Sequence, residues 1–156
     1  MLEPIKLANK NFLSSLDTSS DELFQILEIA NNFKNKDLNV EIKDKVLGLI
    51  FEKSSTRTRV SFQVAMSRLG GTTVDLNPTT SQIGRGEPIR DTARVLSRYC
   101  DVLAIRTFKQ SDLEEYAKWF SKPVINALTD IEHPCQALAD YMTCLLYTSP
   151  SPRDRG

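Results

Sequence analysis

The chain of 156 residues carries no excess of either charge and little histidine or cysteine. Twenty basic residues balance twenty acidic ones, and the isoelectric point is about 6.6. Without a basic surplus, there is no electrostatic reason to expect nucleic acid or an anionic membrane as a partner. The longest apolar stretches have the length of a strand, which predicts no membrane-spanning helix.

The scarcity of metal-binding side chains excludes further classes of protein. The chain has one histidine, and its three cysteines, Cys100, Cys135 and Cys144, lack the close pairing of a zinc site. We therefore expect no bound metal. Met1–Lys10 contains no continuous apolar stretch, so we expect no secretory signal, reduced thiols and a cytoplasmic location. No second histidine is present to activate Cys135, which favours a small packing residue over a nucleophile.

Hydrophobic residues make up 40% of the chain, and they recur with the periods of alternating strands and helices. Alternation of this kind predicts an α/β domain with a parallel sheet flanked by helices in three layers. The predicted strands are 46–51, 72–76, 102–105 and 124–125. The predicted helices run from a capping cluster at 17–20 to Phe33, over about 57–69, 89–99 and 112–120, and from Pro134 through Met142. Between them, 77–88 is polar and predicts a long exposed loop, a frequent place for function.

A polar run joins the first predicted strand directly to the second predicted helix. Phe51 is followed by Glu52, and Ser55, Thr56, Arg57 and Thr58 stand where the helix begins. A helix amino terminus offers unpaired N–H groups and partial positive charge, and hydroxyl and guanidinium groups add donors for a phosphate. The residues themselves leave an alternative open, in which the hydroxyls cap the helix and Arg57 and Arg59 are solvated surface charges.

Two further polar side chains come after predicted strands. Arg106 directly follows the third predicted strand, and His133 comes after the fourth. Because ligands of parallel α/β sheets bind at the carboxyl ends of the strands, these side chains and the Ser55 turn are expected at one edge. The alternatives are a strand-end arginine held in a salt bridge and a structural histidine.

Four motifs, in order along the chain, resemble the carbamoyltransferases, the family that includes ornithine and aspartate carbamoyltransferase. The resemblance covers about Phe12 to Thr143. The motifs are the polar run at 51–59, Ser81–Glu87, which is similar to the family's mobile active-site loop, Asp91–Ser97, and His133–Asp140, which is similar to its second signature. Between the last two, Asp101–Thr107 resembles the family's next strand, which ends in an arginine.

The resemblance implies a carbamoyl-phosphate-binding domain and assigns its site. Phosphate is held by Ser55, Thr56, Arg57 and Thr58. Arg106 and His133 act on the carbonyl oxygen, Arg106 also touching phosphate, and Gln136 positions the carbamoyl amide. Gln82 reaches the site of a neighbouring subunit, which implies a homotrimer, although a solvated loop residue is the alternative. No metal or organic cofactor is implied.

The implied reaction moves a carbamoyl group from carbamoyl phosphate to the side-chain amine of L-ornithine, giving L-citrulline and phosphate. Lys53, the 91–97 run and Cys135 favour the ornithine branch of the family, and Arg85 stands where the aspartate branch usually has lysine. The amino-acid domain that would decide this is absent. An aspartate carbamoyltransferase fragment and a non-catalytic phosphate-binding module remain alternatives.

The end of the chain does not resemble the family. We expect residues 1–143 to form the carbamoyl-phosphate-binding domain and 144–156, rich in proline, serine and arginine, to be a non-native tail such as translated adapter sequence. The alternative is a genuine short linker. Because this tail belongs to no element of the predicted sheet, we expect removal of Leu145–Gly156 to change neither the fold nor phosphate binding.

Overall fold

Four parallel strands form one sheet in the computed structural model, which describes residues 10–36, 40–78 and 81–148. The strands are β1 (Val46–Phe51), β2 (Thr72–Leu76), β3 (Val102–Arg106) and β4 (Val124–Leu128). The helices are α1 (Ser20–Asn35), α2 (Arg57–Arg68), α3 (Ile89–Leu96), α4 (Gln110–Trp119) and α5 (Pro134–Thr148), with short 3₁₀ helices at Ser15–Asp17 and Gln82–Arg85. The predicted parallel α/β fold is confirmed.

The order of the strands creates a crevice at one place in the sheet. The order is β2-β1-β3-β4, so the chain runs outward from β1 to β2 and then crosses back to β3. The direction of winding therefore reverses between β1 and β3, which pair in parallel from Leu47↔Val102 to Phe51↔Arg106. A reversal of this kind opens a ligand crevice beyond the carboxyl ends of the two strands.

Burial on both faces explains why β1 is apolar throughout. Leu47, Leu49 and Phe51 belong to a buried cluster with Met66 of α2. On the opposite face, Ile50 belongs to a second cluster with side chains of β3, α3 and α4, including Leu103, Ile105, Ala93, Leu113 and Tyr116. Helices thus cover both faces of the sheet, as in other parallel sheets.

Gly48 permits a close approach on the α3 side of β1. A Cβ atom at this position would lie 2.5 Å from Leu103 Cδ2 and 3.0 Å from Cys100 Sγ. The missing side chain therefore lets Cys100, which lies just after α3, pack against the strand. Sequence periodicity predicts a buried strand here but not this contact.

Helix boundaries agree with the predicted capping residues at some ends and differ at others. Ser19 and Glu22 form a reciprocal capping box that starts α1, and Lys36 ends it in a left-handed conformation. α3 ends at Leu96 instead of continuing to residue 99, because a turn comes after it. β4 extends to Leu128, three residues beyond the prediction, because it pairs with β3 from Leu103 to Arg106.

The last helix crosses the predicted domain boundary at residue 143. α5 continues through Thr148, and Leu145 and Leu146 border an apolar groove with Phe24, Leu27 and Met142. The predicted helix reaches only Met142, so the structure extends it by six residues, 143–148, none of which belongs to a strand of the sheet. No glycine or proline interrupts this stretch, and its leucines continue the helical apolar spacing. Residues 149–156 lie outside the described residues.

Among the described helices, none has both the length and the apolar character needed to cross a membrane.

The extension of α5 predicts a stability difference between two truncations. Deletion of 145–156 removes Leu145 and Leu146 from α1, and two half-exposed leucines should cost roughly 2 kcal/mol of unfolding free energy. Deletion of 149–156 alone should leave stability unchanged. Thermal and urea unfolding monitored by circular dichroism compares the two. Equal stability of both truncated chains would contradict the packing role of the last helical turn.

Candidate functional site

A cleft of about 590 Å³ opens beyond the carboxyl ends of the strands. Its walls come from three parts of the chain: the first turns of α2, the end of β3, and the segment that begins α5. The lining residues are Arg57, Thr58, Ser61, Phe62, Ala65, Arg106, His133, Cys135, Gln136 and Ala139. Polar groups that are distant in sequence are therefore neighbours at one edge of the sheet.

The amino terminus of α2 lacks a side-chain cap. Thr56 occupies the N-cap position in a helical conformation (φ −97°, ψ −58°), and its hydroxyl makes no capping hydrogen bond. α1, by contrast, satisfies its first amides with the Ser19–Glu22 capping box. The first amide donors of α2 are thus left for another acceptor, and the helix dipole favours a negatively charged one. The alternative in which these hydroxyls cap the helix is not supported at Thr56.

The two arginines of the polar run have different surroundings. Arg59 Nη1 donates to Asp75 Oδ2 on β2 at 2.9 Å, and the guanidinium stacks 5.1 Å from the centre of the Phe51 ring. Arg57 is exposed and lines the cleft. Arg59 therefore ties α2 to the sheet, and Arg57 is the arginine of this pair that can reach a ligand. Spacing in the sequence does not separate these two roles.

Arg106 presents an unused donor in the cleft. The residue lies at the end of β3, paired with Phe51 on one side and Leu128 on the other. Its Nε atom is buried and has no hydrogen-bond partner among the described residues. A buried N–H group without an acceptor is costly, so this donor is available to a bound ligand.

His133 lies in the segment before α5, and its imidazole is also incompletely satisfied. Its Nδ1 atom is buried and finds no hydrogen-bond partner in the described chain. Burial lowers the pKa of His133, the positive charge of Arg106 lowers it further, and Asp140 opposes the shift. At neutral pH the imidazole is thus neutral, with one N–H donor and one acceptor nitrogen.

Gln136 and Cys135 complete this wall. Gln136 Nε2 donates to Asp140 Oδ1 at 2.8 Å, which directs that end of the amide toward the acid. Cys135 Sγ lies 3.5 Å from the Asn126 carbonyl oxygen, and burial raises its pKa to about 11. A thiol with this pKa stays protonated at neutral pH, which supports a packing role over nucleophilic attack.

Not every predicted site residue lines the cleft. Ser55 and Thr56 directly precede α2 in the chain but are not among the lining residues. Gln82 is exposed on the 3₁₀ helix Gln82–Arg85 and is also outside the lining of this described chain. Ser61, Phe62 and Ala65 line it without having been predicted, although their spacing from Arg57 places them on one helical face.

The fold and cleft define a class, the parallel α/β domains that carry a ligand crevice at the carboxyl ends of their strands. Within that class, residues 10–145 match the family model described as "Aspartate/ornithine carbamoyltransferase, carbamoyl-P binding domain". The chain belongs to the aspartate/ornithine carbamoyltransferase family. This confirms the resemblance carried by its four motifs.

Relatives of known name agree with this assignment. An ornithine carbamoyltransferase of Prochlorococcus marinus subspecies pastoris is 76% identical over 143 residues, which is 92% of this chain and 46% of that relative. The crystal structure of ornithine carbamoyltransferase from Gloeobacter violaceus superposes with a TM-score of 0.81 and 51% identity, over 88% of this chain and 45% of that one. Aspartate transcarbamoylase from Trypanosoma cruzi, in complex with aspartate and phosphate, has a TM-score of 0.87 at 31% identity, over 96% of this chain and 48% of that one.

The chain thus spans about half the length of the curated relatives that it matches. Identity is higher to the ornithine enzymes, whereas the fold is shared with both branches.

Because His133 is the sole histidine of the chain, its titration can be monitored by NMR without overlap. We expect a pKa below 6.5, since burial and Arg106 both disfavour the imidazolium. Arg106→Gln should raise this pKa, whereas Arg90→Gln, a change at the exposed Arg90–Asp91 pair, should not.

The same shift predicts how stability depends on pH. The folded state binds a proton at His133 less readily than the unfolded state, so the unfolding free energy should fall as the pH drops below about 6.5. His133→Gln should lack this part of the dependence. If the pKa of His133 is not shifted and does not change in Arg106→Gln, the described environment of the imidazole is contradicted.

Proposed function

We propose that this chain binds carbamoyl phosphate and forms the carbamoyl-phosphate-binding half of an ornithine carbamoyltransferase. The observation that carries the proposal is the meeting, in one cleft, of the uncapped α2 terminus with two buried polar atoms that lack partners, Arg106 Nε and His133 Nδ1. The family model that residues 10–145 match is described as a domain that binds the same ligand, carbamoyl phosphate.

The phosphate end of the ligand is assigned to the start of α2. The amide groups of this turn, the hydroxyls of Ser55, Thr56 and Thr58, and the guanidinium of Arg57 supply donors for phosphate oxygens. Thr58 and Arg57 line the cleft directly, whereas Ser55 and Thr56 directly precede them in the chain. The helix dipole adds a favourable field for the dianion.

The carbamoyl end is assigned to Arg106, His133 and Gln136. Arg106 contacts phosphate and the carbonyl oxygen, and the neutral His133 imidazole donates to the same oxygen as negative charge develops there. Because Gln136 Nε2 is engaged by Asp140, its carbonyl oxygen is the end free to accept from the carbamoyl NH₂ group.

The reaction needs positioning more than covalent help from the protein. The ornithine side-chain amine, in its neutral form, attacks the carbamoyl carbon, and the bond from that carbon to the bridging oxygen breaks. Inorganic phosphate leaves with the bond's electron pair, and the attacking nitrogen passes a proton to the departing phosphate, which gives citrulline. Arg106 and His133 stabilise the oxyanion during attack, and Arg57 stabilises charge on the leaving phosphate.

Ornithine is proposed as the acceptor over aspartate because relatives named ornithine carbamoyltransferase are 76% identical, against 31% for aspartate transcarbamoylase structures. The acceptor is proposed to bind in the part of these relatives' length that the present sequence does not span. A homotrimer in which Gln82 serves the neighbouring subunit, a role in arginine metabolism and a cytoplasmic location belong to the same proposal for the full-length enzyme.

Binding to the isolated chain tests the phosphate assignment. Arg57→Gln should weaken the affinity for inorganic phosphate and for phosphonoacetamide, a stable carbamoyl phosphate analogue, by about tenfold, the value of one charge-assisted hydrogen bond. Arg68→Gln, at the opposite end of α2, is the matched control and should change neither. Isothermal titration calorimetry measures both ligands. Equal effects of the two substitutions would overturn the assignment.

A second test separates half an enzyme from an independent module. The chain of 156 residues should make no citrulline from carbamoyl phosphate and ornithine, because closure by a second domain normally presents the amine and excludes water. Co-expression with the remaining part of a related ornithine carbamoyltransferase should restore colorimetric citrulline formation. Turnover by the chain alone would show that the second domain is dispensable, and analogue binding with no restored turnover would favour a non-catalytic module.

A further inference from the structure

A fully buried amide, Asn126, lies one layer behind the cleft. It is the third residue of β4 and has no solvent exposure. Its Oδ1 atom accepts from the Leu128 N–H at 2.8 Å, and its Nδ2 atom donates to the Leu13 carbonyl at 2.8 Å. The partners determine which end of the amide is which, because an N–H group can only donate and a carbonyl can only accept.

The amide spans the loop that leads to His133. Leu128 starts this loop, and the Glu132 carbonyl, to which Asn126 Nδ2 makes a longer contact of 3.5 Å, ends it. His133 is the next residue. Asn126 therefore contacts both ends of the segment that carries the imidazole into the cleft, without touching the cleft itself.

The start of this loop is strained. Leu128 has φ 148°, a region that residues with a Cβ atom rarely adopt. The sheet register shifts here, so that Arg106 pairs with Leu128 and Ala127 bulges. The Thr107 N–H donates to the Leu128 carbonyl at 3.1 Å. Asn126 Oδ1 on the N–H side and Thr107 on the carbonyl side thus hold the strained residue from both directions.

We infer that Asn126 is a positioning residue that holds the 128–132 loop in the strained form that aims the His133 imidazole into the cleft. The inference rests on the proposed function, in which His133 contacts the carbonyl oxygen of the ligand. A backbone conformation with a steric cost persists only where its surroundings hold it, and the Asn126 amide is the side chain that does so on the N–H side of Leu128.

Asn11 provides a matched control at the other end of the same strand. Its Oδ1 atom accepts from the Val124 N–H at 2.9 Å, at the start of β4. Asn11→Ala and Asn126→Ala each remove one amide that accepts a hydrogen bond from a β4 N–H group, but Asn126 alone of the two contacts the loop to His133. Both substitutions should lower the melting temperature.

Two readouts distinguish positioning from general stabilisation. The first is the ratio of affinities for phosphonoacetamide and inorganic phosphate, because His133 contacts the acyl part and not the phosphate part. Asn126→Ala should reduce this ratio about tenfold, the value of one hydrogen bond, while phosphate affinity changes little. The second is the ¹⁵N NMR spectrum of the His133 imidazole, which should shift toward that of a solvated ring. Asn11→Ala should alter neither readout.

Strain relief supplies the complementary variant. Glycine adopts φ 148° without a Cβ clash, so Leu128→Gly combined with Asn126→Ala should fold and regain part of the wild-type imidazole spectrum. The inference is overturned if Asn126→Ala lowers stability but leaves the affinity ratio and the imidazole spectrum unchanged. So would a double variant that fails to fold or shows no recovery. If the wild-type chain binds neither ligand, the proposed function fails, while the imidazole spectra still decide whether Asn126 positions the ring.

Discussion

The cleft depends on the parallel pairing of β1 with β3, because these two strands place the polar run and Arg106 at the border of the cleft. Phe51 and Arg106 are register partners, so the polar run after β1 and the guanidinium at the end of β3 emerge side by side. The pairing is stabilised by burial of β1 on both faces, where Leu49 and Ile50 contribute to opposite clusters. A ligand that contacts both the polar run and Arg106 therefore depends on the buried core around β1, although it does not contact that core.

The cleft brings together polar groups that the folded chain leaves without hydrogen-bond partners. α1 caps its own amino terminus, whereas α2 does not. Arg59 Nη1 is engaged by Asp75, whereas Arg106 and His133 line the cleft and each keep a buried nitrogen, Nε and Nδ1, without a partner among the described residues. Unsatisfied buried donors and acceptors reduce stability, and an anionic, hydrogen-bonding ligand in the cleft would offset this cost at Arg106 and His133.

The protonation state of His133 is determined by its environment and not by its residue type alone. A histidine near its ordinary pKa is partly charged at neutral pH, but burial and Arg106 hold this one neutral. A charged imidazole would be repelled by the Arg106 guanidinium, which acts on it directly. A neutral imidazole beside a permanent guanidinium avoids that repulsion and keeps a donor for an oxygen that gains charge.

The alternating periods of the sequence determined the α/β class, and β1 and β2 were predicted with the bounds that the structure has. The strand-to-helix placement of Arg57, together with the positions of Arg106 and His133 after strands, determined that polar groups meet at one edge. These features are local, since a buried strand, a capped helix and a strand end can each be predicted from the types of consecutive residues.

Contacts between distant segments were decided by tertiary structure alone. Arg57 and Arg59 look equivalent in the sequence until β2 brings Asp75 beside one of them. The extension of β4 to Leu128 depends on its pairing with β3. Asn126 has no special signal in the sequence, because its partners Leu13 and Leu128 are backbone groups, and only the folded chain brings Leu13 to the end of β4.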